Sequence, residues 1–233
     1  MLERYRRIIL AAIPLALVVS CSEGISRSVL TTVLRVDGDV QAAGNENASF
    51  GQISAGARFS SGMILRTGQG TLDLQIMPGL QVRLGPNSEL KLEQMTLARD
   101  GNETASGMSD RVAKLVLRYG RATVYLQDAD GSWGTLTVAT EEVTIGSRRG
   151  CLFQVETAEG QTRLVCSRGN LFASAPKGSS STIPGGYFAE WPLTQPPSPA
   201  EGDSAAQNAV AESLKTAQEL DQLLEKQTPY IPW

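Results

Sequence analysis

The chain has 233 residues, of which 41% are apolar, so it can bury one good core and still leave length for tails. Its formal net charge of −3 provides no basic excess, so a nucleic-acid partner is not expected. It contains no histidine, which removes the usual general base near neutral pH and the commonest metal ligand. We therefore expect one main domain, without a metal or another cofactor.

The N-terminal residues are typical of an export signal. Met1–Arg7 is short and basic, and residues 8–19 carry no charge. Such a run spans about 18 Å as a helix, against about 30 Å for a bilayer core, so it predicts a signal peptide at 1–20 and not a permanent membrane span. Val18-Val19-Ser20-Cys21 resembles a bacterial lipobox, which implies that Cys21 is lipidated and becomes the mature N-terminus. Ordinary signal cleavage nearby and an uncleaved anchor are the alternatives.

A polar tether at 21–28 is expected to join this anchor to the body of the protein. Ser22 stands where some bacteria carry an aspartate that is linked to inner-membrane retention. The sequence therefore predicts an exported protein on the periplasmic side of the envelope, and it favours the outer membrane.

Strand patterns begin at Val29 and are clearest at 55–93, where apolar and polar side chains alternate between short turns. A period of two predicts half-buried strands. Because Pro78-Gly79 favours a type II turn, whose twist suits a tight hairpin poorly, we expect a corner between strands there. Roughly eleven or twelve short strands follow one another up to Trp191, with an exposed loop at 99–110. We predict an all-β domain at 29–191 of the jelly-roll, β-sandwich or short β-roll type.

Cys151 and Cys166 flank a predicted β-hairpin. A four-residue loop at 157–160 would pair Glu156 with Gln161. If this register continues along both strands away from the loop, Cys151 lies opposite Cys166 on the apolar face. A cross-strand disulfide is then geometrically available. Two buried free thiols are the alternative, and neither cysteine has the companions of a metal site.

The C-terminal part is predicted to be a linker, a helix and a tail. The proline-rich residues 192–199 favour an extended linker without sheet pairing. Ser198 has the form of a helix cap, with Asp203 or Ser204 as the fallback, and we predict a helix at 200–227 and a tail at 228–233. Apolar side chains three and four residues apart make one narrow stripe: Val210, Leu214, Ala217, Leu220 and Leu224. We expect this stripe to pack on the β domain, and a coiled-coil contact that makes an oligomer is the alternative.

Eight short motifs follow one another along the β region, each in the position that one family pattern gives it. They are Gly38–Val40, Gly62–Gly68, Val82–Leu90, Leu117–Gly120, Val138–Thr140, Arg149–Val155, Ser167–Asn170 and Pro184–Gly186. Together they resemble the FecR domain, a bacterial periplasmic module, over Val36 to Trp191. Well-known FecR proteins also carry a cytoplasmic segment that handles a sigma factor, followed by a membrane span. Only seven residues precede the apolar run here, so we do not expect the sigma-regulating activity.

The resemblance implies a non-catalytic unit that receives signals and binds proteins. We expect a lipid-anchored envelope protein that binds a protein or glycan partner, in signalling or scaffolding. A structural lipoprotein that binds the cell wall is one alternative. A hydrolase that uses two carboxylates is another, but its candidates lie at outward strand positions or beside turns, where solvated charge is the ordinary explanation. These candidates are Asp73, Glu89, Glu93, Glu141 and Glu142.

A further hypothesis concerns basic and aromatic side chains in the later strands. Arginines crowd this region and could bind an anionic glycan or a phosphate, although scattered surface arginines are the ordinary alternative. Trp133, in a loop with flanking glycines, could stack on a sugar, or it could plug one end of a barrel. The predicted ligand contacts are Trp133, Arg118, Arg121, Arg148 and Arg149, with Arg163 and Arg168 in the same group.

Overall fold

The computed structural model describes residues 25–99, 110–127, 134–176, 178 and 180–227. The predicted signal peptide, Cys21, most of the 99–110 loop, Trp133 and the tail at 228–233 lie outside the described residues. The described strands are β1 (Ile25–Ser28), β2 (Thr31–Asp37), β3 (Val40–Ala43), β4 (Gly51–Gln52), β5 (Arg58–Phe59), β6 (Ile64–Thr67), β7 (Thr71–Met77), β8 (Leu80–Leu84), β9 (Ser88–Arg99), β10 (Asp110–Leu126), β11 (Gly134–Ala139), β12 (Thr144–Ser147), β13 (Cys151–Ala158), β14 (Gln161–Arg168), β15 (Asn170–Ser174), β16 (Ser180–Pro184), β17 (Tyr187–Trp191) and β18 (Ser198–Pro199). A short 3-10 helix, Ala200–Gly202, precedes the helix α1, Ser204–Gln227.

The strands form two sheets with a common core. In sheet A the order is β4, β3, β6, β9, β10, β11, β12, β15 and β16, and β1 shares the outer edge of β9 with β6. In sheet B the order is β5, β2, β7, β8, β10, β13, β14, β17 and β18. The described pairs are antiparallel except β10 with β11. The predicted all-β fold with one C-terminal helix is confirmed.

Strand β10 belongs to both sheets. Residues before Gly120 pair with β9 in sheet A, and residues from Gly120 onward pair with β13 in sheet B. Gly120 has a φ of +86°, and a Cβ added there would lie 2.1 Å from Ser88 Oγ. Only glycine fits this crossing point, because a side chain would be strained by the backbone and would collide with β9.

Residues of the FecR-like motifs meet at this same corner. Thr67 Oγ1 donates to the carbonyl oxygen of Gly85 at 2.6 Å and accepts from the Ser88 amide at 3.0 Å. Ser88 Oγ donates to the Pro86 carbonyl and accepts from the Arg121 amide, both at 2.9 Å. Asn87 takes a φ of 49°, which asparagine tolerates well. These motif residues therefore fix how three strands meet, which is a role in folding.

The main hydrophobic core lies between the two sheets. It is built from fully buried side chains of both, such as Leu90 and Ile145 of sheet A with Leu74 and Phe153 of sheet B. No residue of α1 belongs to this described cluster. A second, smaller cluster joins α1 to sheet B and consists of Val165, Ala200, Ala206 and Ala209, with Phe188 and Val210 packed against it.

Two predicted turns differ from the structure. The β13–β14 loop has two residues, Glu159 and Gly160, with φ of 52° and 73°, instead of the predicted four. Glu156 therefore pairs with Arg163, and Cys166 lies opposite Phe153 and not opposite Cys151. Asparagine and glycine dominate such turns, so the Glu-Gly pair gave a weak signal.

Pro78-Gly79 forms a tight hairpin turn between β7 and β8, and the predicted corner is wrong. Met77 pairs with Leu80, and Gly79 has a φ of +81°. A register shift between Gln75 and Met77 accompanies the turn. Such a bulge adds local twist, which compensates for a turn whose own twist suits a hairpin poorly.

The linker and the helix start also differ from the prediction. Ser198 and Pro199 pair with β17 as the edge strand β18, where the missing N–H of a proline is tolerated. The α-helix begins at Ser204, and Asp203 caps it by accepting a 2.7 Å hydrogen bond from the Ala206 amide. The fallback cap is thus the one that the chain uses.

Candidate functional site

Helix α1 covers part of the outer face of sheet B, and most of the side chains that it buries are small. They are Ala206, Ala209, Ser213, Thr216, Ala217 and Leu220. The predicted apolar stripe is therefore wrong in part: Ala217 and Leu220 are buried, Val210 and Leu224 are half-buried, and Leu214 is 38% exposed. Alanine, serine and threonine let the helix lie close to the sheet, a signal that a search for large apolar residues overlooks.

Polar contacts run along the whole helix. Arg163 donates to Asp203 at 2.6 Å at its start, and Arg121 pairs with Glu212 at 3.2 Å in its middle. Gln127 donates to Asp221 at 2.8 Å near its end. Because these carboxylates are partly exposed, each surface pair contributes about 0.2–1 kcal/mol.

Helix α1 makes its strongest contact with sheet B in a group of side chains that we call the Asp73 cluster: Arg35, Asp73, Arg83, Thr216 and Glu219. Arg35 and Arg83 are the cross-strand neighbours of Asp73 on its two sides, and both donate to its carboxylate, with N–O distances of 2.9 and 2.7 Å. Arg83 also donates to Glu219 Oε2 at 2.7 Å and to Thr216 Oγ1 at 3.2 Å. The Asp73 side chain is 1% exposed, so its charge depends on these two arginines.

Ionisation of the helix carboxylates is coupled to this docking. The hydrogen bond from Arg83 holds the pKa of Glu219 below its usual range, against an opposing effect of burial. The Ala206 amide lowers the pKa of Asp203, and Arg163 lowers it further. Docking therefore stabilises the charged form of Glu219, whereas the charged form of Asp203 is stabilised mainly by the start of the helix itself.

One buried side chain on this face lacks partners. Gln81 lies on β8, two residues from Arg83 and opposite Tyr125 of β10, whose hydroxyl is 3.5 Å from Asp221. Gln81 is fully buried, yet neither its Nε2 nor its Oε1 has a hydrogen-bond partner among the described residues. An unpaired buried amide of this kind costs about 1–3 kcal/mol.

A matching group lies on the outer face of sheet A, and we call it the Glu89 cluster: Glu46, Phe50, Arg66, Glu89 and Arg118. Glu89 is 2% exposed and pairs with Arg66 at 2.5 Å and with Arg118 at 3.1 Å. Arg118 also contacts Glu46, and the Arg66 guanidinium lies 3.9 Å from the centre of the Phe50 ring. Its two arginines are 43% and 36% exposed, so this cluster faces solvent more openly than the Asp73 cluster.

The predicted arginine contacts do not form one patch. Arg118 lies on sheet A in the Glu89 cluster, whereas Arg121 lies on sheet B and pairs with α1. Arg148 and Arg149 are exposed in the turn between β12 and β13, where Ser147 Oγ donates to the Arg149 carbonyl at 2.9 Å. A ligand contact by any of them stays a prediction.

The expected exposure of the five candidate carboxylates is wrong for Asp73 and Glu89, which are buried between arginines. The alternation correctly places both on outer faces, but parts of the chain that are distant in sequence cover them. Glu142 accepts from the hydroxyls of Thr140, Thr157 and Thr162, the last at 2.6 Å. Threonine hydroxyls fix this carboxylate in place but provide no base to pair with it, and Glu93 and Glu141 are simply exposed.

Cys151 and Cys166 are both buried, and no disulfide joins these two described residues. Burial raises the pKa of Cys166 to about 12, and the nearby Cys151 adds to the effect. A thiol with such a pKa is a poor nucleophile near neutral pH. The register that would place the two cysteines opposite each other is not the one observed. The disulfide stays a prediction.

Sequence reasoning missed Arg35, Arg66, Arg83 and Glu219. A usable signal exists, because Arg35, Asp73 and Arg83 alternate in sign at outward positions of three neighbouring strands. Opposite charges at directly paired positions stabilise a sheet. The contribution of Glu219 could not be read this way, since it is 136 residues from Arg83.

The described residues contain no group of three or more histidine, cysteine, aspartate or glutamate side chains that could hold a metal ion. Within the same described ranges, no helix is both long and apolar enough to cross a membrane.

Comparisons with known proteins agree with the motifs. The family model described as FecR protein matches residues 63–172, in agreement with the resemblance predicted from the sequence. This region runs from the start of β6 to the middle of β15 and contains the crossing point of β10 at Gly120. No curated protein matches the chain.

Two solved structures of a "putative anti-sigma factor" from Parabacteroides distasonis ATCC 8503, at 1.65 and 2.50 Å resolution, are similar to part of the chain. Each is 12% identical, and the TM-scores are 0.40 and 0.39. The match covers 55% of this chain and 53% of each of theirs, so the chain spans about half the length of these structures.

Proposed function

We propose that this protein is a non-catalytic module of the bacterial cell envelope that binds a partner protein through its FecR domain and acts in signalling or scaffolding. The observation that carries the proposal is the FecR match at residues 63–172. Its motif residues, such as Thr67 and Ser88, hold the corner of the sandwich together, which leaves the outer face of sheet A free to bind.

The charge arrangement supports binding over catalysis. Asp73 and Glu89 are each neutralised by two arginines, so neither is a free acid or base. Exposed aromatic side chains occur on sheet A, where Tyr119 is 40% and Phe172 is 62% exposed. Aromatic residues and arginine are enriched at protein interfaces.

We propose further that the chain is exported and attached to the membrane by a lipid on Cys21, with the outer membrane favoured. The lipobox-like Val18–Cys21 supports this. Replacing Cys21 by alanine is expected to move the protein from the membrane fraction to the soluble periplasmic fraction and to abolish its labelling by radioactive palmitate. Unchanged fractionation of the variant would contradict the lipid anchor.

Site-specific photocrosslinking in cells tests the partner. A photoreactive phenylalanine analogue is placed at Tyr119, at Phe172 or at Leu214, which are exposed positions on sheet A and on α1. Glu141, at an exposed position between β11 and β12, is the control position. We expect a discrete protein adduct, identified by mass spectrometry, from at least one of the three positions but not from the control.

Two results would contradict the proposal. Adducts that contain only wall material would support the alternative of a structural lipoprotein that binds a glycan. Adducts equally abundant at all four positions, including Glu141, would indicate random encounters and no partner surface.

A further inference from the structure

We propose that the outer face of sheet B is an exchangeable helix-binding surface. Helix α1 occupies it in the isolated chain, and an acidic amphipathic helix of a partner protein displaces α1. The inference rests on the proposed partner binding and adds to it a surface and a class of partner.

The first argument is the chemistry of the contact. Leu220 is the only large apolar side chain among the residues of α1 that are buried against the body. The other contacts are the small apolar cluster at the start of the helix, hydrogen bonds, and ion pairs with the partly exposed carboxylates of Asp203, Glu212 and Glu219. Contacts of this kind are individually weak and are screened by salt, so α1 can detach far more easily than a core strand can.

The second argument is that the β body is complete without α1. The main core cluster contains no residue of the helix among those described. Asp73 keeps both Arg35 and Arg83 when Glu219 leaves, and Arg163 keeps Glu190, which lies 3.0 Å away. When α1 detaches, the buried carboxylate of the sheet therefore keeps its arginine partners, and the surface that is left remains folded.

The third argument is the character of that surface. Arg35, Arg83, Arg121 and Arg163 lie along it, and Val165 and Phe188 supply an apolar strip beside Arg163. A ligand that matches it is a helix with a stripe of small side chains and carboxylates seven residues apart, as Glu212 and Glu219 are in α1. Charge complementarity of this kind selects partners and speeds their association.

The fourth argument is the unpaired side chain of Gln81. It is fully buried on this face beside Tyr125, and α1 supplies no partner for either of its amide atoms. A foreign helix with a polar side chain that reaches Gln81 would make hydrogen bonds that α1 does not make. Such a helix would gain an advantage over α1 at the same surface.

A peptide-exchange experiment tests the inference with the full chain. The probe is a fluorescein-labelled synthetic peptide of residues 200–227, and its binding is followed by fluorescence anisotropy at low salt. Replacing Glu212 and Glu219 of the protein by glutamine weakens its own helix but leaves the sheet intact. We expect this variant to bind the probe about tenfold more tightly than the unmodified chain, because a larger fraction of the surface is open.

Matched controls isolate the surface. The variant Glu201→Gln/Glu225→Gln makes the same change of charge at exposed positions and is expected to bind the probe like the unmodified chain. A probe in which Glu212, Glu219 and Asp221 are replaced by their amides is expected to lose binding at least about tenfold. Arg121→Gln, whose side chain pairs with α1 and not with Asp73, is expected to weaken binding without threatening the fold.

Three results would overturn the inference. The first is equal affinity of the two glutamine variants, and the second is undiminished binding of the amide probe. The third is a dimer that forms by exchange of α1 between two copies, because the occupant would then be a second copy and not a partner. Since no envelope partner takes part, failure here leaves the in-cell crosslinking as a separate test of the proposed function.

Discussion

Asp73 and Glu89 have the same local arrangement on opposite sheets. Each is a buried carboxylate on an outward strand position, and each lies between two arginines. They differ in what lies over them, since α1 reaches the Asp73 cluster through Glu219, whereas a nearby loop reaches the Glu89 cluster through Glu46. The same charge motif thus serves two purposes: it docks a removable helix on sheet B and stabilises an open surface on sheet A.

The largest expected effect comes from Asp73→Asn. The change removes the charge that compensates Arg83, whose side chain is 16% exposed, so we expect a loss of about 3–5 kcal/mol in the free energy of unfolding. Urea denaturation followed by tryptophan fluorescence measures it. Glu93→Gln, at an exposed position of β9, is the control and is expected to change stability by less than about 0.5 kcal/mol.

Glu89→Gln is expected to cost less, about 2 kcal/mol, because Arg66 and Arg118 are 43% and 36% exposed and remain partly hydrated without their partner. The same denaturation experiment compares the two variants directly. A loss for Glu89→Gln that equals the loss for Asp73→Asn would show that the covering of the two clusters does not matter.

Glu219→Gln is expected to act on α1 alone. The hydrogen bond from Arg83 and the ion pair are weakened, which costs about 1 kcal/mol and raises the population of detached helix about fivefold. Limited proteolysis measures this as a faster cleavage within residues 204–227, with unchanged cleavage of the β body. Glu225→Gln, at an exposed position of the helix, serves as the control.

The smallest expected effect is on the pH dependence. The pKa of Glu219 is lowered in the folded state, mainly by Arg83, so its contribution to stability is present above the usual carboxyl range near about pH 4.3 and is lost as the pH falls through the folded-state value. Urea midpoints measured from pH 6 to pH 3 should therefore fall more for the unmodified chain than for Glu219→Gln. The difference is expected to stay under about 1 kcal/mol because Glu219 is 33% exposed. Parallel curves would contradict the coupling.

The alternation of side chains predicts the β class and many of the strands, because a period of two is a local property of the backbone. It also places Asp73 and Glu89 on outer faces correctly. Their burial depends on Glu219 and Glu46, which approach from elsewhere in the chain, and no local pattern reports such contacts. The FecR-like motifs can be recognised in the sequence because their residues, such as Thr67 and Ser88, make their contacts within one corner of the fold.

Turns and the helix face were harder to predict. The Glu159-Gly160 turn shifts the register by two residues relative to a four-residue loop and so moves Cys166 from Cys151 to Phe153. On α1, Leu220 is buried but Leu214 is exposed, and the small residues Ala206, Ala209 and Ser213 mark much of the side that packs. Small side chains contribute little to a hydrophobic pattern, although they decide how closely a helix approaches a sheet.

Hydrogen exchange of the unmodified chain, followed by mass spectrometry at neutral pH, tests most directly whether α1 opens independently of the sheets. We expect amides of α1 to exchange at least about 100-fold faster than those of β9 and β10, and to exchange faster still at high salt. Amides of α1 that exchange as slowly as those core strands, with no response to salt, would contradict the account of α1 as a removable cover.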